Sequence, residues 1–230
     1  MTTKGKMKKV SIIIPVYNQL KMTIDCLGDV IRTYGVETEI IVVDDWSKEP
    51  ISKAIPKLFP DIKLLTNERN VGFAKTVNKG IQAASHDLVC LLNNDIRLPN
   101  PAWLKIMTDS MDEYDLTAPA GGRMDSKWNY QPGEAKKRGD RFSYLPFWCI
   151  LIKRAVFDKI GDIPTDFSKG FFEDVLWGYR AKKAGFKAGI TENTGVQHLY
   201  HATFKAGGYN FAEEYQVKRN IFLDILGKEK

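Results

Sequence analysis

The chain has no apolar run approaching the roughly 20 residues that cross a bilayer. Its longest early run, Ile12-Ile13-Ile14, stops at Pro15. That run is also too short for a secretory signal, and no small-residue cleavage site follows it. A cytoplasmic protein is the expectation. Cysteine is scarce: Cys26, Cys90 and Cys149 are odd in number, widely spaced and without a CxxC pair. This argues against a disulfide framework or a structural zinc site and points to buried thiols. Internal repeats and low-complexity stretches are absent. So are a Walker A sequence and a GxGxxG after a strand, which counts against ordinary NTPase and dinucleotide-binding folds.

What remains is an ordinary globular composition, 230 residues of which 43% are hydrophobic and 27% charged, with a formal charge of +6. One domain over 1–230 is the default. The positive balance permits an anionic partner, whether nucleotide, nucleic acid or membrane surface, without choosing among them. Much of it sits in clusters such as Lys4 to Lys9 and Lys136-Lys137-Arg138, which read most simply as solvated loop or tail.

In the first hundred residues short β-branched runs alternate with helical patterns. Val10 to Ile14, Glu39 to Val43, Ile62 to Leu65 and Leu88 to Leu92 predict buried strands. Leu20 to Thr33, Ile51 to Phe59 and Phe73 to Ala84 predict helices, the second interrupted by Pro56. Such alternation implies an α/β fold, a mostly parallel, Rossmann-like sheet with helices on both faces. Ligands in that architecture bind beyond the carboxyl ends of the strands, so Pro15 to Asn18, Asp44 to Ser47, Asn67 to Gly72 and Asn93 to Asp95 matter most. Further on, Ala102 to Met111 predicts a helix, Leu116 to Ala118 a short strand, and Gly121 to Leu145 a long irregular loop. A strand at Trp148 to Ile152 and helices at Arg154 to Ile160, Glu173 to Ala184 and Tyr209 to Leu226 complete the pattern.

Asp44-Asp45 and Asp95 each end a strand. Singly they read as Asx turns. Together they converge on one sheet edge, where a carboxylate accepts a hydrogen bond from a base or binds a hard divalent cation bridging two phosphates.

These residues resemble the ordered motifs of the family 2 inverting glycosyltransferases with a GT-A fold. The resemblance rests on Val10-Ser-Ile-Ile-Ile-Pro-Val-Tyr-Asn18, Glu39-Ile-Ile-Val-Val-Asp-Asp-Trp-Ser47, Asn70-Val-Gly-Phe-Ala-Lys75 and Leu91-Leu-Asn-Asn-Asp95. The later Phe171-Phe-Glu-Asp174 resembles that family's acidic "ED" helix, and Val196-Gln-His198 its terminal histidine motif. It implies a nucleotide-sugar-binding half over about 9–118, an acceptor and catalytic half over about 119–205, and a C-terminal helix over 206–230. It implies a nucleotide-sugar donor, UDP-linked, and Mn²⁺ or Mg²⁺ as cofactor. Asp44 and Asp45 match the acidic pair near base and ribose, with Pro15, Tyr17 and Asn18 as the facing wall. Asn70, Gly72 and Lys75 match the segment that closes on the nucleotide. Asn93-Asn94-Asp95 stands where the family has DxD; only Asp95 is acidic, which leaves it as the metal-binding carboxylate, with His198 as a metal or diphosphate contact and His201 a weaker candidate.

Asp174, beside Glu173, matches the general base. Read locally, the same two acids open a helix, where they cap N–H groups and meet the positive end of the dipole. Trp128, Tyr130, Tyr144, Phe147 and Trp148 offer stacking faces for sugars, or equally a small core beneath a loop. The acceptor is a saccharide or glycoconjugate, or a modified DNA base if the basic cluster contacts phosphates. The incomplete DxD also leaves open a non-catalytic nucleotide-sugar-binding module, and fold-level kinship leaves open a nucleotidyltransferase.

Overall fold

In a computed structural model, residues 7–167, 170–199 and 211–229 are described. The near-continuous apolar run at the start forms β1 (Lys9–Val16), buried on both faces. It is followed by α1 (Leu20–Val30), β2 (Glu37–Asp44), α2 (Ile51–Leu58), β3 (Lys63–Thr66), α3 (Phe73–Ala83) and β4 (Leu88–Leu92). Helix α1 stops short of its predicted end because Arg32 and Thr33 donate to the carbonyls of Asp29 and Val30, three residues back. Such tightening is common where carbonyls run out of partners. Helix α2 runs through Pro56, which removes one N–H but leaves Ile51 and Ile55 fully buried to anchor the helix.

The second half adds β5 (Ile96–Arg97), α4 (Trp103–Ser110), β6 (Leu116–Ala118), β7 (Gly121–Met124), β8 (Tyr130–Ala135), β9 (Cys149–Lys153), α5 (Arg154–Ile160), α6 (Glu173–Lys183), β10 (Ala188–Ile190), β11 (Gln197–His198) and α7 (Phe211–Lys228). The main sheet has the order β10-β6-β9-β4-β1-β2-β3. Strand β9 runs against both its neighbours, β4 and β6, while all the other pairings are parallel. The mostly parallel α/β sheet expected from the sequence is therefore present. The segment expected to be an irregular loop is so only in its second part, 136–145; in the first, β7 and β8 form an antiparallel hairpin. Asp125 closes its turn by accepting the N–H groups of Lys127 and Asn129 (both 2.8 Å), with Trp128 left-handed at φ 61°.

Side chains alternate between two cores. Ile12, Ile14 and Val42 pack with α1, α2 and α4 on one face; Ile13, Ile41 and Val43 pack with α3, α5 and α6 on the other. Helix α3 comes close to β1 because Gly80 has no side chain: a β-carbon there would lie 2.4 Å from Ile13 Cγ2. A third core joins Phe172, Val175 and Leu176 of the α6 region to Phe222 and Leu226 of α7. Trp128 and Tyr130 of the hairpin pack against it.

Candidate active site

Strands β1, β2, β3 and β4 all deliver their carboxyl ends to one edge, and the turns leaving them build the site. Asp45 organises its first part. Its Oδ1 accepts the Val71 N–H (2.8 Å) and the Asn67 side-chain amide (2.9 Å), and its Oδ2 accepts the Gly72 N–H (2.9 Å). The segment Asn67 to Gly72 is thereby held against the end of β2, with Gly72 at φ 86° leading into α3. An ionised carboxylate has about four acceptor positions, so one on Oδ2 is left for a ligand. Asp44 accepts the Ser47 N–H (3.0 Å), and Asn18 Oδ1 accepts that of Lys48 (2.8 Å). Asp44 serves its own turn, as the Asx reading anticipates, whereas Asn18 ties the turn after β1 to the turn after β2.

The second part gathers Asn93, Asn94 and Asp95 around a contact that spacing along the chain does not reveal. Strand β11 pairs with β5 so that His198 faces Ile96, which brings His198 Nε2 to 3.2 Å from Asp95 Oδ1. The imidazole stacks on Trp148, centroids 5.0 Å apart and planes 15° from parallel. Asn94, buried, donates to Thr23 Oγ1 (3.0 Å). Asp95 Oδ1 is enclosed, with the His198 imidazole as its close polar neighbour, and a cation held between the two would satisfy both. An oxygen and an imidazole nitrogen suit Mn²⁺ or Mg²⁺ only as a partial set, with the remaining positions left to diphosphate and water oxygens. No group of three or more acidic, His or Cys ligands occurs among the described residues.

The third part is the start of α6. Gly170, Phe171 and Phe172 are left-handed in succession, at φ 101°, 75° and 69°; for two bulky residues this is strained backbone of the kind that concentrates at functional sites. The Phe172 ring is fully buried and holds the turn, lying 5.3 Å from Tyr130 and 5.2 Å from Phe222. Glu173 and Asp174 follow. Both carboxyls are held above the ordinary carboxylate range, chiefly by burial. Asp174 raises Glu173 further, and the Lys218 ammonium on α7 partly offsets this. Asp174 Oδ1 accepts the Val175 N–H (2.8 Å), whereas Glu173 Oε2 is buried without a hydrogen-bond partner. The helix N-terminus does favour the Asp174 anion, as expected, but desolvation outweighs it. The phenols of Tyr130 and Tyr144 are pushed up by their own burial and by the charge of Asp174.

All three parts face one cavity of about 920 Å³. Of the residues singled out in the sequence, Pro15, Tyr17, Asp45, Asn70, Gly72, Asn93, Asn94, Asp95, Glu173, Asp174 and His198 line it, whereas Asn18, Asp44 and Lys75 do not. His201 lies outside the described residues. Trp148 and Phe147 line the cavity, but Trp128 packs edge-on against Phe222 (5.0 Å) in the third core. Sequence reasoning missed Tyr215 of α7, which reaches the cavity wall and accepts the Tyr130 N–H (3.1 Å). Its only signal was its place in the last helix. The basic cluster is absent from the wall: Arg138 pairs with Glu113, Lys136 lies 3.3 Å from Glu134, and Asp140 accepts the N–H groups of Lys136 and Lys137. No described helix is long and apolar enough to cross a membrane.

The sequence model described as "Glycosyl transferase family 2" matches residues 11–182. The chain is 28% identical over 195 residues to the glycosyltransferase AglE of Haloferax volcanii, covering 77% of this chain and 62% of that protein. The mannosyltransferase PcManGT of Pyrobaculum calidifontis, solved with GDP-Man and Mn²⁺, superposes with a TM-score of 0.69 at 16% identity, over 88% of this chain and 60% of that one. GalNAc-T7, solved with UDP, GalNAc and Mn²⁺, gives 0.71 at 16% identity, over 84% and 43%. These two share the fold. The chain spans less than two thirds of the length of each of these three proteins.

Proposed function

The chain belongs to glycosyl transferase family 2, and on that premise we propose that it moves a sugar from a UDP-linked donor to an acceptor hydroxyl with inversion, using Asp174 as general base. The observation that carries this reading is that Asp95 and Asp174, from different elements, face one cavity. The cavity lies within the size range of small-molecule sites. The Asp45 side supports the nucleotide, whose base can reach the remaining acceptor position of that carboxylate. Asp95 and His198 would hold the divalent cation, which when bound offsets the charge of the departing diphosphate.

Asp174 takes the proton of the acceptor hydroxyl at its carboxylate as that oxygen attacks the anomeric carbon from the side opposite the leaving group. A carboxyl raised toward neutrality by burial is a better base than one in water and is still partly ionised at working pH. Tyr130, Tyr144 and Phe147 enclose that side and exclude water. The acceptor in this reading is a carbohydrate rather than a nucleic acid, because the Lys136 and Arg138 side chains pair with Glu134 and Glu113 and the cluster lies off the cavity wall.

Asp174→Asn keeps size and the Val175 contact but removes the basic oxygen. Turnover of UDP-sugar, as transfer or as hydrolysis with water as acceptor, should fall about 10²-fold or more, with UDP affinity and melting temperature nearly unchanged. Near-normal turnover in a folded variant would reduce Asp174 to a helix-terminal residue.

A further inference from the structure

A second groove, of about 560 Å³, adjoins the cavity and shares Arg123, Gln131 and Pro132 with it. Its own wall adds Arg141, Phe142 and Ser143. It is thus bordered by two guanidiniums and by no carboxylate, unlike the cavity beside it, which contains Asp45, Asp95, Glu134, Glu173 and Asp174. Arg123 donates its Nε–H to the Arg141 carbonyl (3.3 Å), which fixes the first guanidinium beside the second residue. Neither arginine forms an ion pair among the described residues. The nearby Asp140 is lowered chiefly by the N–H groups of Lys137 and Lys136, ahead of Arg123. The floor is built for contact: Phe142 lies over Gly121, where a β-carbon would stand 2.6 Å from it.

A guanidinium presents a planar fork that matches a carboxylate or phosphate, and an aromatic face beside an amide suits a sugar ring. We propose that this groove is an acceptor subsite for an anionic sugar unit, bearing a carboxylate or a phosphate, next to the unit that receives the transferred sugar. This rests on the reading of the main cavity as a transferase site, since only then does a groove leading away from Asp174 follow an acceptor chain. Arg123, at the junction, reaches both units; Arg141 reaches only the outer one.

The test is a titration of the whole chain, with UDP and Mg²⁺ filling the donor end, followed by NMR at the Nε–H signals of Arg123 and Arg141. Methyl β-D-glucuronide, glucose 6-phosphate and methyl β-D-glucoside serve as probes at matched ionic strength. The anionic probes should give saturable shifts and the neutral glucoside none. Arg123→Gln with Arg141→Gln, read in parent and variant alike at the backbone N–H signals of Phe142 and Ser143 in the same groove, should weaken the binding at least about tenfold, as expected for the loss of charge-assisted hydrogen bonds. A stronger response to glucuronide assigns the unit to a uronic acid, and a stronger response to the sugar phosphate assigns it to a phosphorylated chain. Absence of saturation, an equal response to the glucoside, or binding that survives the double substitution overturns the proposal. Asp174→Asn should leave these shifts intact, so failure of the transferase reading shows in turnover and failure of the subsite shows here.

Discussion

At the scale of single residues, two enclosed carboxyls lead to separate tests. Asp95 has an enclosed oxygen whose close polar neighbour is the His198 imidazole, 3.2 Å away. Asp95→Asn should therefore abolish the gain in UDP affinity that Mn²⁺ provides, at least tenfold by calorimetric titration, while the fold persists. A Mn²⁺ effect of undiminished size would remove Asp95 from the cation site. Burial raises the Glu173 carboxyl. A carboxyl whose folded pKa is raised contributes stability that is complete below its unfolded pKa and is lost as pH rises through the folded value. Glutamine imitates the neutral acid at every pH. Glu173→Gln should match the parent in stability near pH 4 and exceed it increasingly toward pH 8, by on the order of 1–3 kcal/mol. A constant difference across that range, measured by denaturant midpoints, would mean that the Glu173 carboxyl is not raised.

At the scale of elements, close approach decides where helices can lie. Alanine at Gly80 would gain about 1 kcal/mol in helix propensity, but its β-carbon would meet Ile13 at 2.4 Å. Overpacking of that kind costs about 1–3 kcal/mol. Gly80→Ala should lower the urea midpoint without changing the slope, because α3 has to move off β1; a raised midpoint would show that the sheet yields freely. Such contacts also mark the limit of what the sequence conveys. The β1 to β4 alternation was legible because buried parallel strands are apolar throughout, and their carboxyl ends located Asp45 and Asp95. The β7–β8 hairpin was not, since Tyr130-Gln-Pro-Gly-Glu-Ala135 carries no strand periodicity and is held by its turn and by the third core. The two-residue strands β5 and β11 were too short to announce themselves, so the motif alone suggested His198 while only the fold shows why it meets Asp95. Tyr215 was hidden for a related reason: nothing local to α7 says which face the helix turns to the cavity.

At the scale of the whole molecule, α7 lies beyond the residues that the family model matches yet closes the third core behind Glu173 and Asp174. Phe222 is fully buried there, against Phe172 and Trp128. Phe222→Ala should cost about 3–5 kcal/mol if α7 and the sheet unfold together. It should also slow turnover while leaving UDP affinity unchanged, because the Asp45 and Asp95 turns belong to the other two cores. A parallel loss of UDP affinity would show that the three cores act as one. The reversed strand β9 has a consequence of another kind, in time. It fills the place between β4 and β6, but it begins at Cys149 while β4 ends at Leu92. At the roughly 5–20 residues per second of synthesis, the apolar edge of β4 waits about 3–12 seconds on the ribosome for its neighbour to emerge. For that interval the nascent half-sheet is open to mispairing, and a chaperone that holds it would raise the yield of folded chain more than any help given after release.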